Sequence, residues 1–244
     1  MNCEKAYASL LLETKTYFEK AGYSKAVVGL SGGIDSSLTA FLLTDALGKE
    51  NVTGLLMPDS QANNPQDRLD ALETAKQLGI NFGEIPIGKT AKVVETSLKW
   101  KQNALAKMNL KARIRMVFLY DYANSLKALV VGTGNKSELT LGYFTKYGDG
   151  AADFFPLKSL FKTQVFELAK FKKLPETIIK KKPSAGLFRG QTDEADLGAG
   201  YKEIDLFLQE KENGKKEKEL REKFGEKLAN SLLKRIKENR HKRL

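Results

Sequence analysis

The stretch Lys25 to Ser37, K-A-V-V-G-L-S-G-G-I-D-S-S, restricts the possible folds of this chain more than any other. A short β-branched run, Ala26 to Leu30, ends abruptly in Ser31-Gly32-Gly33, and helix-forming residues follow from Ser36. A strand, a tight glycine turn and a helix N-terminus therefore meet in one place. Such a turn aims several backbone N–H groups and the positive end of a helix dipole at one point, which suits an anion. The stretch lacks the Lys of G-x-x-x-x-G-K-[ST] and does not fit G-x-G-x-x-G. It puts Asp35 at the mouth of the anion site instead. A carboxylate beside phosphates is repulsive unless a cation lies between them, so Asp35 implies a magnesium ion bridging to the phosphates. The plain alternative is a strand-to-helix connection that happens to be rich in small residues.

Around this stretch the pattern alternates. An amphipathic helix over residues 4 to about 20, with Tyr7, Leu10, Leu11, Thr14 and Phe18 on one face, precedes the first strand. A helix over Ser36 to Leu47, a strand over Val52 to Met57, a helix over about Gln66 to Leu78 and a strand over Ile80 to Ile87 follow, with the polar loop D-S-Q-A-N-N-P before the second of these helices. This β-α-β-α-β order means a parallel sheet with right-handed crossovers, whose ligands bind beyond the carboxyl ends of the strands. Two helices are expected over about Thr90 to Lys107 and Leu110 to Leu126, then a strand at Ala128 to Val131 and a last short one at Phe154 to Leu157. Beyond Lys162 the chain reads as helical, interrupted near Lys182 to Thr192. Phe224, Leu228, Leu232 and Ile236 recur every four residues and predict a docked helix in the tail.

The length of 244 residues suits one α/β domain with a large core, and a hydrophobic share of 41 % gives no compositional case for disorder. No apolar run approaches the roughly 20 residues that span a bilayer, and the N-terminus shows no secretory segment. The single cysteine, Cys3, excludes an internal disulfide and points to a reducing cytoplasm. Cys3 reads as a passive side chain on the first helix, since no histidine lies near it in sequence. The net charge of +11 raises nucleic acid as a partner, but the tail from Lys211 carries 13 basic and six acidic residues and so most of the excess. That tail alternates signs and has few aromatics, which fits a solvated helical face better than a base-stacking one.

The motifs carry a resemblance. S-G-G-I-D-S resembles the SGGxDS pyrophosphate loop of the N-type ATP pyrophosphatases, which split ATP between its α and β phosphates to adenylate a substrate. Within that superfamily, K-A-R-I-R-M at 111–116, G-T-G-N-K-S-E at 132–138 and G-Y-F-T-K-Y-G-D-G-A-A-D at 142–153 resemble ammonia-dependent NAD synthetases. So do P-L-K-S-L-F-K at 156–162, K-P-S-A-G-L at 182–187, T-D-E-A-D-L-G at 192–198 and H-K-R at 241–243. The blocks stand in the family's order from residue 29 to 243, and F-T-K-Y-G-D-G is the most specific of them. Many members read G-T-D-H-A-A-E where this chain has Gly134, Asn135, Lys136 and Ser137 before Glu138, so no histidine lies near the expected metal.

The resemblance implies a three-layer α/β/α fold of the adenine nucleotide alpha hydrolase-like kind, with a mainly parallel, roughly five-stranded sheet. It implies one synthetase domain over 1–244, with a pyrophosphatase core at about 20–172, a helical C-terminal part at about 173–244 and no glutaminase domain. The implied reaction is ATP-dependent amidation of deamido-NAD by ammonia, giving NAD, AMP and pyrophosphate through an adenylate, in a cytoplasmic homodimer that binds neither nucleic acid nor membrane. Gly29, Leu30, Ser31, Gly32, Gly33, Ile34, Asp35, Ser36, Thr133, Lys162 and Ser184 would hold ATP. Asp35 and Glu138 would ligate Mg²⁺, and with Lys162 they would form the catalytic set. Arg113, Lys146, Asp153, His241 and Lys242 would contact deamido-NAD.

Each role has a plainer competitor. Lys146 and Asp153 also read as solvated loop charges, Glu138 as a helix-start acid, Thr133 as a turn residue and His241 as part of a frayed terminus. Arg113 and Arg115 are two apart on an expected helix and so face different directions, which leaves Arg115 to cap or pair. A tRNA-modifying or other N-type ATP pyrophosphatase would use the same loop, but predicts an RNA-binding module or paired cysteines that the sequence does not contain.

Overall fold

The computed structural model describes residues 1–59, 64–184, 186, 188 and 190–242. Positions 60–63 of the expected polar loop, 185, 187 and 189 of the 182–192 interruption, and Arg243 of H-K-R lie outside the described residues. The elements run α1 (Cys3–Ala21), β1 (Ala26–Gly29), α2 (Ile34–Leu47), β2 (Val52–Leu56), α3 (Pro65–Leu78), β3 (Asn81–Glu84), α4 (Gly88–Ser97), α5 (Ala104–Leu126) and β4 (Leu129–Val131). Then come α6 (Lys136–Leu141), α7 (Lys162–Phe171), α8 (Glu176–Lys180), α9 (Asp193–Leu197), α10 (Tyr201–Glu212), α11 (Glu217–Phe224) and α12 (Glu226–Glu238), closed by a 3₁₀ turn at Asn239–Lys242.

The four strands are parallel, in the order β3-β2-β1-β4. The chain therefore builds outward from β1 in one direction and returns to add β4 on the other side. The switch point lies between β1 and β4, and it opens a crevice beyond their carboxyl ends. The fold is α/β/α in three layers. Ala26, Val28, Val52, Leu56 and Val131 turn one face of the sheet toward Ala40 and Leu43 of α2 and Ala71 and Ala75 of α3. Val27, Leu55 and Val130 turn the other face toward Ala91 of α4 and Ile114 and Ala123 of α5. Alternation along the strands decides which face each residue serves. Helix α2 is buried nearly all round, because Ile34, Leu38, Phe41 and Leu42 also pack on α1, α7 and α8.

Where a fifth strand is expected, Phe154 forms one isolated parallel bridge with Val131. The Gly132 and Asp153 N–H groups donate across it, and the chain then turns, Lys158 N–H reaching back to the Phe155 carbonyl. Pro156 has no N–H to continue a ladder, so the pairing stops after one step. The helix expected over 90–107 ends at Ser97; α5 begins at Ala104 because the Asn103 side chain caps it, accepting from Ala106 N–H at 2.8 Å. The tail is docked as expected, but as two helices. Phe224, Leu228 and Ile236 pack against a third cluster built on Leu141, Phe161, Phe207, Leu220 and Leu232, which fastens the C-terminal helices to α6 and α7.

Candidate active site

The glycine turn follows β1 at the switch point. Gly32 has φ +74°, a left-handed conformation that lets the chain reverse into α2. The Ser36 hydroxyl donates to the Gly33 carbonyl at 3.0 Å and lies 3.0 Å from the Ser31 hydroxyl, which accepts from Gly33 N–H at 3.2 Å. Gly33, the N-cap of α2, contributes no side chain to the helix's first N–H groups. The turn borders a cavity of about 1020 Å³, lined here by Gly29, Leu30, Ser31, Gly33, Ile34 and Ser36.

Across the crevice, α6 begins in a reciprocal cap. The Asn135 side chain accepts from Glu138 N–H at 3.0 Å, and the Glu138 carboxylate accepts from Asn135 N–H at 3.3 Å. The Asn135 amide also donates to Asp35 Oδ1 at 2.9 Å, joining the two sides of the switch point. Lys162, at the first position of α7, is 2 % exposed and inserts its ammonium between them, pairing with Asp35 Oδ2 and with Glu138 Oε1 at 3.1 Å. Lost hydration pushes the Glu138 carboxyl up to about 7, with Lys162 opposing the rise and Asp35 adding to it. Burial works against the charge on Lys162, but Asp35 and Glu138 outweigh it, and its ammonium holds its proton more tightly than usual.

Asp35 and Glu138 supply hard oxygen donors converging on one cationic position, the chemistry Mg²⁺ requires. Among the described residues no group of three or more His, Cys, Asp or Glu could hold a metal. Two carboxylates with nucleotide phosphates and water make a fitting set, since Mg²⁺ keeps several non-protein ligands.

A second wall is basic. Arg113 on α5 donates to the Lys146 carbonyl at 3.2 Å, and the Lys146 ammonium donates to the His241 carbonyl at 2.6 Å. Lys242 donates to the Gly142 and Phe144 carbonyls at 2.7 and 2.9 Å. The terminal turn is thus pinned to the 142–146 loop, and Arg113, Lys146, His241 and Lys242 all line the cavity, as do Thr133 and Ser184. Asp153 is not brought to it. Its Oδ2 accepts from Val130 N–H at 2.8 Å on the open side of β4, and its Oδ1 lies 3.4 Å from the Tyr120 hydroxyl. Arg115, expected to point away from Arg113, also lines the cavity: its side chain curls to donate to the Met57 carbonyl at 3.0 Å.

Several residues in and behind the cavity wall were not legible as such. Asp193 is buried, accepts from the Tyr201 and Tyr143 hydroxyls at 2.8 and 3.2 Å, and has its carboxyl raised by burial. Its only signal was the T-D-E-A-D-L-G block. Lys181 contacts Gly32, Asp67 and Asp70, yet in sequence it is one of three successive lysines. Asp205 reaches across from α10 to take Ser137 Oγ–H and, at 2.8 Å, Thr163 N–H, while Ser137 Oγ accepts from Lys162 N–H at 2.9 Å. This caps α7, whose own N-cap is Phe161, and aims Lys162.

A glycine turn opening a helix at the switch point of a parallel sheet, facing a lysine held by two carboxylates, has the architecture of an α/β enzyme that activates a substrate with a nucleotide. The chain belongs to the NAD synthase family, whose model matches residues 6–244. It is 44 % identical to the NH₃-dependent NAD⁺ synthetase of Methanosarcina acetivorans, over 100 % of this chain and 96 % of that protein. In structure it is similar to an NMN synthetase from Francisella tularensis, with a TM-score of 0.91 and 37 % identity over 100 % and 97 % of the two chains. The NH₃-dependent NAD synthetase of Campylobacter jejuni superposes with a TM-score of 0.84 at 34 % identity, covering 99 % and 96 %.

Proposed function

We infer that the protein amidates deamido-NAD with ammonia, coupled to cleavage of ATP to AMP and pyrophosphate. The observation that carries this reading is Lys162 held between Asp35 and Glu138 beside the glycine turn, in a chain of the NAD synthase family. A carboxylate is a poor electrophile for an amine, because oxide would have to leave. Attack of the nicotinate carboxylate on the α-phosphorus of ATP gives an acyl-adenylate and pyrophosphate. Ammonia then attacks the activated carbonyl and AMP departs.

Little of this needs covalent help from the protein; it needs positioning and charge stabilisation. Ser31, Gly32, Gly33 and Ser36, with the N-terminus of α2, would hold the β and γ phosphates, and Thr133 and Ser184 further parts of ATP. Lys162 would meet the charge that gathers on the α-phosphoryl oxygens. Asp35 and Glu138 would hold Mg²⁺, which when bound neutralises phosphate charge and orients the pyrophosphate as a leaving group. The cations of Arg113, Lys146 and Lys242 suit a ligand with two phosphates and a carboxylate, and His241 lies beside them. The assignment of Asp153 to deamido-NAD has the least support, since its carboxylate is engaged outside the cavity.

The reading includes a homodimer. Val93 on α4 and Val117 on α5 are each more than half exposed, as are Trp100 between the helices and Leu105, which also borders the cavity, and these apolar side chains would meet a second copy. It also includes a cytoplasmic location, in keeping with a lone cysteine. No helix among the described residues is long and apolar enough to cross a membrane.

The likeness to an NMN synthetase makes the mononucleotide acid a rival acceptor. Purified protein given ATP, Mg²⁺ and ammonium should convert deamido-NAD to NAD with a kcat/KM above that for nicotinate mononucleotide. The reverse ranking would assign the mononucleotide. Product formed from glutamine without ammonia or another protein would contradict the nitrogen source.

A further inference from the structure

The sequence reading gives Lys181 no role, and the reaction as derived does not use it. Its Nζ donates to the Gly32 carbonyl at 3.0 Å and to Asp67 Oδ1 at 2.8 Å, and it pairs with Asp70. Asp70 is fully buried, and its other oxygen accepts from the Gln66 amide at 2.9 Å. The same segment of α3 braces the turn through its backbone: a Cβ at Gly32 would lie 2.0 Å from the Asp67 carbonyl oxygen.

The bond from Gly32 to Gly33 is trans, so its C=O and N–H point in opposite directions within the peptide plane. The Gly33 N–H donates to the Ser31 hydroxyl at 3.2 Å, while the Gly32 carbonyl accepts from Lys181, which with Asp67 lines the same cavity at its edge by the turn. Two adjacent glycines offer little steric resistance to rotation of the peptide between them. Rotated, the unit would present a carbonyl oxygen where a phosphate must sit. We propose that Lys181, held by Asp67 and Asp70, is a positioning residue that locks the Gly32–Gly33 peptide with its N–H toward the phosphates. The inference rests on reading the turn as a phosphate site.

Pyrophosphate and AMP, each with Mg²⁺, are titrated calorimetrically into wild type and into a variant carrying Lys181→Met, Asp67→Asn and Asp70→Asn. Removing all three charges avoids stranding Asp70 and changes the local charge from −1 to zero. Simple electrostatics then predicts equal or tighter pyrophosphate binding. The lock predicts binding weaker by about tenfold or more, as for loss of a charged hydrogen bond, with AMP affinity unchanged. Lys181→Gln in the same background restores a neutral donor to the Gly32 carbonyl and should recover most of the loss; a lysine that touched phosphate directly would not be replaced this way. Unchanged pyrophosphate affinity in the triple variant, equal losses for both ligands, or no recovery with Gln overturns the proposal. Should the triple variant not fold, Lys181→Met with Asp70→Asn, which removes the donor but leaves the local charge at −1, is titrated instead and must weaken pyrophosphate binding relative to AMP binding. Wild-type protein that fails to bind pyrophosphate overturns the phosphate-site reading instead.

Discussion

Lys162, held between Asp35 and Glu138, is where the proposed chemistry centres, and the residues around it make distinct predictions. Lys162→Met removes the ammonium that would meet transition-state charge, and kcat should fall by about 10²–10³, as for loss of one preorganised donor. The KM for deamido-NAD should hardly move, because the basic residues proposed to hold that ligand line another wall; equal damage to both would contradict the assignment. Asp205, which caps α7 from α10, offers a test by pH. Burial raises its carboxyl above the ordinary 3.8, against the hydrogen bonds from Ser137 and Thr163 that lower it. The folded protein therefore holds this proton more tightly than the unfolded chain. Its contribution to stability is complete below pH 3.8 and is lost as pH rises through the raised folded value. Melting temperature should decline less steeply from about pH 4 upward in Asp205→Asn than in wild type; parallel curves would refute the burial account. Residues of this kind mark what the sequence conceals. Ser31 to Ser36 were legible because the whole turn is local, whereas Lys181 and Asp67 stand 114 positions apart and meet only through the fold.

At the level of elements, the terminal 3₁₀ turn owes its place to Gly142. That residue has φ +65°, and a Cβ there would lie 2.2 Å from Asn239 Cβ. Gly142→Ala should cost about 1 kcal/mol in backbone strain alone and push the turn that carries His241 and Lys242 off the 142–146 loop. The expected kinetics are a raised KM for deamido-NAD at nearly constant kcat, and an unchanged KM would detach the tail from substrate binding. Leu232→Ala in α12 empties a fully buried position and should destabilise the fold by about 2–5 kcal/mol, measurable by denaturant titration. These same elements divide into what periodicity reveals and what it does not. The first three strands and α2 were readable from alternating apolar runs with glycine stops. The expected fifth strand shrank to one bridge, because the β-favouring run at Phe154 says nothing of how soon Pro156 turns the chain. Nor did spacing locate the start of α5, which depends on a cap from Asn103.

For the whole molecule, the order β3-β2-β1-β4 brings residues from both halves of the chain to one crevice, and the C-terminal helices close its side by packing on α6 and α7. That convergence was foreseeable only through the ordered motif blocks, since composition and charge alone left the second substrate open. The exposed apolar face on α4 and α5 predicts that light scattering at micromolar concentration gives twice the chain mass, and that Leu105→Asp with Val117→Asp gives the single mass. A monomeric wild type with full activity would remove the dimer from the account. The central claim is that ATP activates the nicotinate carboxylate by adenylation. Its most direct test uses deamido-NAD labelled with ¹⁸O in that carboxylate, followed by mass spectrometry of the phosphate-containing products. One labelled oxygen should appear in AMP for each NAD formed, with none in pyrophosphate. Label in inorganic phosphate, with ADP as the nucleotide product, would contradict it.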